Sequence, residues 1–212
     1  MDASPSARPR VLLVDNSLGR GTLTPQLRDM LARRAEVHVA SSRAQMRALE
    51  RLHHVWHGVI LSGSDALLTE GVPQGVFAMN AAALALRVPV LGICFGMQIL
   101  AVLRGGVVAR LTRPMVGTIP VVVDARAHLL APGRVRVHHK NLDAIRRLPP
   151  RFIAVAHGQD GVCVAMQHTT LPLYGVQFHP EGSPPLPMVL RSFLARCTAT
   201  VGGTRSARRS RK

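Results

Sequence analysis

Val90-Leu91-Gly92-Ile93-Cys94-Phe95-Gly96-Met97-Gln98 runs from a fully apolar strand straight into a helix, with a cysteine at the corner. So tight a turn needs small neighbours, which Gly92 and Gly96 supply, and it holds the sulfur clear of the backbone. This is the thiol form of a nucleophile elbow. The helix N-terminus beneath the sulfur favours thiolate over thiol, through the macrodipole and through unpaired N–H groups. The Phe95 N–H, next after the nucleophile, is placed to donate to an oxyanion. Taken alone, the motif also admits a buried structural cysteine in a Gly-flanked turn.

Outward from the elbow, short apolar strands alternate with helices. Residues 11–14 form an apolar strand ending at Asp15 and the turn-rich Asn16-Ser17-Leu18-Gly19. The periodicity predicts a helix over 23–34, with Leu23, Leu27, Met30 and Leu31 on one face. A strand over 37–40, a helix over 45–52 and a strand over 57–61 follow, closed by Ser62-Gly63-Ser64-Asp65. A helix over 76–86 then precedes the buried strand 88–93. The alternation predicts an α/β domain: a mostly parallel central sheet with helices on both faces. After Gly105-Gly106 the helices thin out. Strands are expected at 107–110, 119–124, 134–138, 152–157, 162–167 and 173–178, as an antiparallel extension joined by hairpins such as Gly158-Gln159-Asp160-Gly161. A last helix over 186–197 places Leu186, Val189, Leu190, Phe193 and Cys197 on one side. The expected organisation is a disordered start (1–9), one domain (10–197) and a disordered basic tail (198–212).

Composition agrees with one domain. The chain has 212 residues, 47% of them hydrophobic, and a mean hydropathy of +0.18, which excludes a disordered, collagen-like or disulfide-scaffold chain. Aromatic residues are only 3%, so aliphatic side chains must fill the core. Three cysteines, an odd number without metal-ligand pairing, point to a reducing compartment. The start MDASPSARPR has no apolar signal region, and runs such as 88–93 or 97–103 are too short to span a bilayer. A cytoplasmic protein without a membrane partner is expected. Lys+Arg 27 against Asp+Glu 11 gives +16, and the only lysines are Lys140 and Lys212. Such a field attracts polyanions, while a composition rich in Ala and Arg throughout reads the same charge as coding bias. The tail 205–212 carries five of the cations; RNA binding, a localisation signal or a solvated extension all fit it. Without aromatic interleaving, single-strand recognition is not favoured.

A second motif supplies a base. Tyr174-Gly175-Val176-Gln177-Phe178-His179-Pro180-Glu181 delivers a His at a strand end, followed two residues later by a carboxylate. His179 suits a base that takes the thiol proton, and Glu181 suits the group that fixes its tautomer and stabilises the imidazolium. No Gly-x-x-x-x-Gly-Lys-[Ser/Thr] loop and no Ser-Gly-Gly-x-Asp-Ser loop is present, so no ATP site is expected. His53, His54 and His57 form no ligand set with Cys or carboxylates, so no metal is expected either.

Residues 92–98 and 174–181 together resemble the class I glutamine amidotransferases, the Cys-His-Glu glutaminases. The Gly-Ile-Cys-Phe-Gly-Met-Gln version is most similar to the glutaminase part of GMP synthase. The stretches 139–152 and 165–168 are similar to the free-standing glutaminase subunits of archaeal-type GMP synthases. The resemblance covers roughly residues 10–197. It implies that Cys94 attacks the side-chain amide of glutamine, forming a γ-glutamyl thioester, with His179 as base and then acid and Glu181 orienting it. It implies an oxyanion hole from Gly63, Ser64 and Phe95, and glutamine contacts from Gln98 and His139. Ser62-Gly63-Ser64-Asp65 stands where the family usually has Ser-Gly-Gly-Pro. A left-handed torsion expected at Ser64 would cost about 1–2 kcal/mol more than at Gly. The segment His138–Asn141 departs from the usual Ser-His-Gly-Asp form, so His139 lines the pocket or sits in an ordinary surface loop. Gly182-Ser183-Pro184-Pro185 replaces the usual continuation after Pro-Glu. The implied partner is a separate ATP-pyrophosphatase synthetase that alone holds ATP and Mg, with no cofactor in this chain. Two other functions fit the residues: a free-standing γ-glutamyl hydrolase, and a binding or regulatory protein on this scaffold.

Overall fold

The computed structural model describes residues 8–18, 23–51, 55–158, 161–180 and 188–198. Strand β1 (Arg10–Val14) is apolar from Val11 onward, and each of those four side chains is fully buried. Side chains alternate across a strand, so this run must meet hydrophobic cover on both sides. Val11 and Leu13 point into one cluster, with Leu27 and Leu31 of α1 (Leu23–Ala32) and with Val189, Phe193 and Cys197 of the helical segment 188–198. Leu12 and Val14 point into the other, with Met46 of α2 (Arg43–Arg51), Met79 and Ala83 of α3 (Gln74–Ala85), and Met97 and Leu100 of α4 (Phe95–Leu103). The result is three layers, helix–sheet–helix.

The remaining strands are β2 (Glu36–Ala40), β3 (Gly58–Leu61), β4 (Val90–Ile93), β5 (Val107–Val123), β6 (Gly133–Arg147), β7 (Phe152–His157), β8 (Cys163–His168) and β9 (Leu173–Val176). They form one sheet of order β2-β1-β3-β4-β9-β8-β7-β5-β6. The first five in that order are parallel to one another and the rest are antiparallel. The α/β class and the antiparallel extension therefore stand as expected. Leu61 pairs with Gly92, and Gly92 with Gly175, so β3, β4 and β9 end side by side and their following loops converge on one edge.

Two expectations are corrected. The strands predicted separately at 107–110 and 119–124 belong to one 17-residue strand, β5, whose pairing with β6 is irregular between Arg110 and Met115. The polar Thr112-Arg113-Pro114 looks like a break, but Pro is tolerated where a bulge leaves its nitrogen outside the ladder. The segment 138–141 is not a surface loop: it lies inside β6, with His138 opposite Thr118 and Lys140 opposite Val116. Lys140 is exposed, while His139 and Asn141 are buried. Among the described residues no helix is long and apolar enough to cross a membrane, and no group of three or more His, Cys, Asp or Glu could hold a metal ion.

Candidate active site

Cys94 stands between β4 and α4 with φ 50° and ψ −108°. Such a torsion at a residue with a Cβ is sparsely populated and costs on the order of 1–3 kcal/mol. The surroundings hold it there. Its N–H donates to the Val176 carbonyl at 2.7 Å, and its carbonyl accepts from the N–H groups of Met97 (3.0 Å) and Gln98 (3.2 Å), so the helix starts at once. A Cβ on Gly92 would lie 2.5 Å from the Gly96 carbonyl oxygen, and one on Gly96 would overlap the Leu61 carbonyl. Both glycines are thus required by close approach. Phe95 is the first helical residue, so its N–H has no intrahelical acceptor and faces the dipole's positive end.

The loop after β3 completes one side of the site. A Cβ on Gly63 would meet His179 Cε1 at 2.9 Å and Cys94 Cβ at 3.7 Å. This single position therefore touches the elbow and the strand-end histidine together. The left-handed torsion expected at Ser64 is absent: among described non-Gly residues only Leu18, Arg87, Cys94 and Arg151 have positive φ. Ser64 instead accepts the Ala66 N–H on its own Oγ at 3.1 Å, a local turn that needs no glycine. A buried amide pair braces the loop from behind. Asn16 donates its backbone N–H to Ser62 Oγ (2.9 Å) and its Nδ2 to the Ser62 carbonyl (3.1 Å), and Asn80 Nδ2 donates to Asn16 Oδ1 at 2.7 Å.

His179 is buried, 5% exposed, and its N–H donates to the His138 carbonyl at 3.3 Å. Its expected partner Glu181 lies outside the described residues, as do Gly182–Pro185, Leu186, His53, His54 and the chain ends 1–7 and 199–212. His139 is fully buried, its ring edge-on to Phe178, with Nδ1 3.1 Å from Asn141 Oδ1. Burial pushes its pKa below the ordinary value, the Asn141 contact opposes that shift, and the nearby His179 and His138 add to it. Among the described residues, His139 Nε2 is the one buried side-chain polar atom with no hydrogen-bond partner.

Gln98 is turned inward. Its Nε2 donates to the Asp143 carbonyl (2.9 Å) and to Gln177 Oε1 (3.1 Å), so only its oxygen is left for a ligand. Gln177 in turn donates its Nε2 to Cys94 Sγ at 3.4 Å. The carboxylate of Asp143, itself buried, accepts from the Thr69 N–H (3.0 Å), Thr69 Oγ1 (2.7 Å) and Arg110 Nε (3.1 Å). It pins the short 3-10 turn Leu68–Glu70 beside the site. Asn80 and Gln177 are marked in the sequence only as polar residues inside otherwise apolar runs, and Asn16 and Asp143, which sit among other polar residues, carry no signal of their own. The other two cysteines are chemically quiet: burial pushes the Cys163 and Cys197 thiols up to about 12. A cavity of about 630 Å³ lined by Leu84, Arg87, Leu103, Arg104 and Leu173 lies at the opposite ends of β4 and β9, away from the elbow.

A thiol at a helix N-terminus, with an imidazole and the Gly63 loop close by, suits attack on a carbonyl carbon. Comparison with known proteins shows the family to which the chain belongs. The model of the family "Glutamine amidotransferase class-I" matches residues 14–194. A GMP synthase [glutamine-hydrolyzing] subunit of Pyrococcus furiosus is 33% identical over 126 residues, which are 58% of this chain and 65% of that one. The GMP synthase [glutamine-hydrolyzing] of Spiroplasma kunkelii is 37% identical over 126 residues, 58% of this chain and 24% of the relative. The chain thus spans about two thirds of the former and a quarter of the latter. Among solved structures, a putative GMP synthase subunit from Thermoplasma acidophilum superposes with a TM-score of 0.81 at 22% identity, covering 93% of this chain and 98% of that one. A glutamine amidotransferase from Thermotoga maritima gives 0.70 at 20%, covering 90% and 98%. With the match of 14–194 spanning the elbow, the Gly63 loop and the His179 strand, the chain belongs to the class-I glutamine amidotransferase family.

Proposed function

We propose that this chain hydrolyses glutamine to glutamate and ammonia. The observation that carries the reading is the convergence of Cys94, Gly63 and His179 at the ends of three adjacent parallel strands. His179 takes the thiol proton, and Sγ attacks the side-chain carboxamide carbon as the thiolate. The N–H groups of Gly63, Ser64 and Phe95 receive the oxyanion. Collapse breaks the C–N bond, His179 returns the proton to the leaving nitrogen, and ammonia departs from a γ-glutamyl thioester. Water, deprotonated by His179, then displaces the sulfur and releases glutamate. Glu181 orients His179, Gln98 offers its oxygen to the substrate's amine, and His139 lines the pocket wall.

The ammonia goes to a separate ATP-using synthetase that converts XMP to GMP in the cytoplasm; ATP and Mg belong to that partner and this chain carries no cofactor. The name of the Pyrococcus furiosus relative, a glutamine-hydrolyzing subunit of GMP synthase, supports this reading, as does an alignment confined to about a quarter of the longer GMP synthase. The test is ammonia release from glutamine by the purified chain, with Cys94→Ala as the blank, with and without XMP and the synthetase component of a GMP synthase. Cys94-dependent release that rises at least tenfold with the synthetase is expected. Release indifferent to the synthetase identifies a free-standing hydrolase, and no release under either condition refutes the glutaminase reading.

A further inference from the structure

We infer that Gln177 is a fourth member of the nucleophilic site: a directed hydrogen-bond donor that holds Cys94 as the thiolate. The argument is one of polarity along a buried chain. The backbone carbonyl of Asp143 can only accept, so the end of Gln98 that faces it at 2.9 Å must be the amide nitrogen. That same nitrogen faces Gln177 at 3.1 Å, so Gln177 must present its oxygen there. The Gln177 nitrogen is then left pointing at Cys94 Sγ, 3.4 Å away, and neither amide can flip without setting two like groups against each other. Asn141 Nδ2 donates to the same Asp143 carbonyl at 3.1 Å and fixes the far end. Gln98 and Gln177 are 3% and 0% exposed, so water does not compete for these bonds. A donor locked toward sulfur stabilises the charged form over the thiol, in addition to whatever the α4 dipole contributes.

This inference rests on Cys94 being the nucleophile, but not on glutamine being the substrate. The test is therefore alkylation by iodoacetamide as a function of pH, followed by mass spectrometry. Cys163 and Cys197, pushed to about 12 by burial, stay unlabelled near neutrality. In Gln177→Met, which keeps length without a donor, the pH of half-maximal alkylation at Cys94 is expected to rise by about one unit. In the isosteric Gln177→Glu it should rise further. Circular dichroism and thermal melting establish that each variant is folded. A wild-type alkylation profile in a folded variant overturns the proposal. Should neither variant fold, the wild-type chain decides: the Gln177 side-chain amide resonances should shift over the same pH range as Cys94 alkylation, and constant resonances overturn it. A wild-type chain that releases no ammonia, beside variants that show the alkylation shift, counts against the glutaminase reading and not against this one.

Discussion

Gly63→Ala adds one carbon between the elbow and the His179 ring. It would lie 2.9 Å from His179 Cε1 and 3.7 Å from Cys94 Cβ. Non-bonded carbons rest at about 3.5–4.0 Å, so the His179 ring or the loop must yield by roughly 0.6–1.1 Å. A displacement near 1 Å between reacting groups costs about 100-fold in rate, equivalent to about 2.7 kcal/mol of transition-state stabilisation. Stability should barely change, because Gly63 is not in the positive-φ region and accepts alanine without torsional strain. The assay is kcat/KM for ammonia release, beside a thermal melt that should move by no more than about 3 °C. Gly75→Ala, where nothing lies within 4 Å of the added carbon, serves as the matched control and should leave kcat/KM unchanged. A folded Gly63→Ala protein within twofold of wild type would refute the placement of His179 against this loop in the reacting state.

Other consequences follow from the same geometry. Cys94→Ala and Cys94→Gly should both lose turnover, but Gly relieves the φ 50° torsion and should melt about 3 °C above Ala; an equal or reversed order would show that the elbow is unstrained. Asp143→Ala removes three bonds to a buried carboxylate, so a loss of about 3 kcal/mol, a Tm drop of roughly 6–12 °C, is expected; a drop under about 2 °C would argue against the Thr69 clamp. His139 has a folded-state pKa below its ordinary 6.5. The unfolded chain therefore binds its proton first, and the neutral His139 contributes stability that is present above 6.5 and is lost as pH falls toward the lowered folded value. His139→Gln should flatten the pH dependence of Tm in that window, and an unchanged slope would reject the assignment.

The parallel half of the sheet is legible because its strands are covered on both faces and so read as unbroken apolar runs, as at Val11–Val14 and Val90–Ile93. The elbow is legible because its geometry is local: Gly92, Cys94 and Gly96 lie within five residues. The β5–β6 ribbon is not. Thr112-Arg113-Pro114 interrupts the apolar pattern of β5, and in β6 the inward-facing positions include His139 and Asn141, so alternation by hydrophobicity fails where the buried partners are themselves polar. The strain expected at Ser64 also fails, because a side-chain turn to Ala66 takes the place of a left-handed glycine.

The sequence by itself determined a thiol at a strand-to-helix corner and a histidine at a strand end. It also determined the alternation that makes the sheet, since each follows from spacings of a few residues. Only the tertiary structure decided what stands beside the sulfur. The strand next to β4 is β9, not the β5 that follows it in the chain, and this lateral order brings Gln177 to Cys94 across 83 positions. Ser62 is met by Asn16 across 46 positions, and Asp143 by Thr69 across 74. Periodicity reports which face of an element is buried, not which neighbour buries it. That choice belongs to the order of strands in the sheet, and the polar contacts of the site are its consequence.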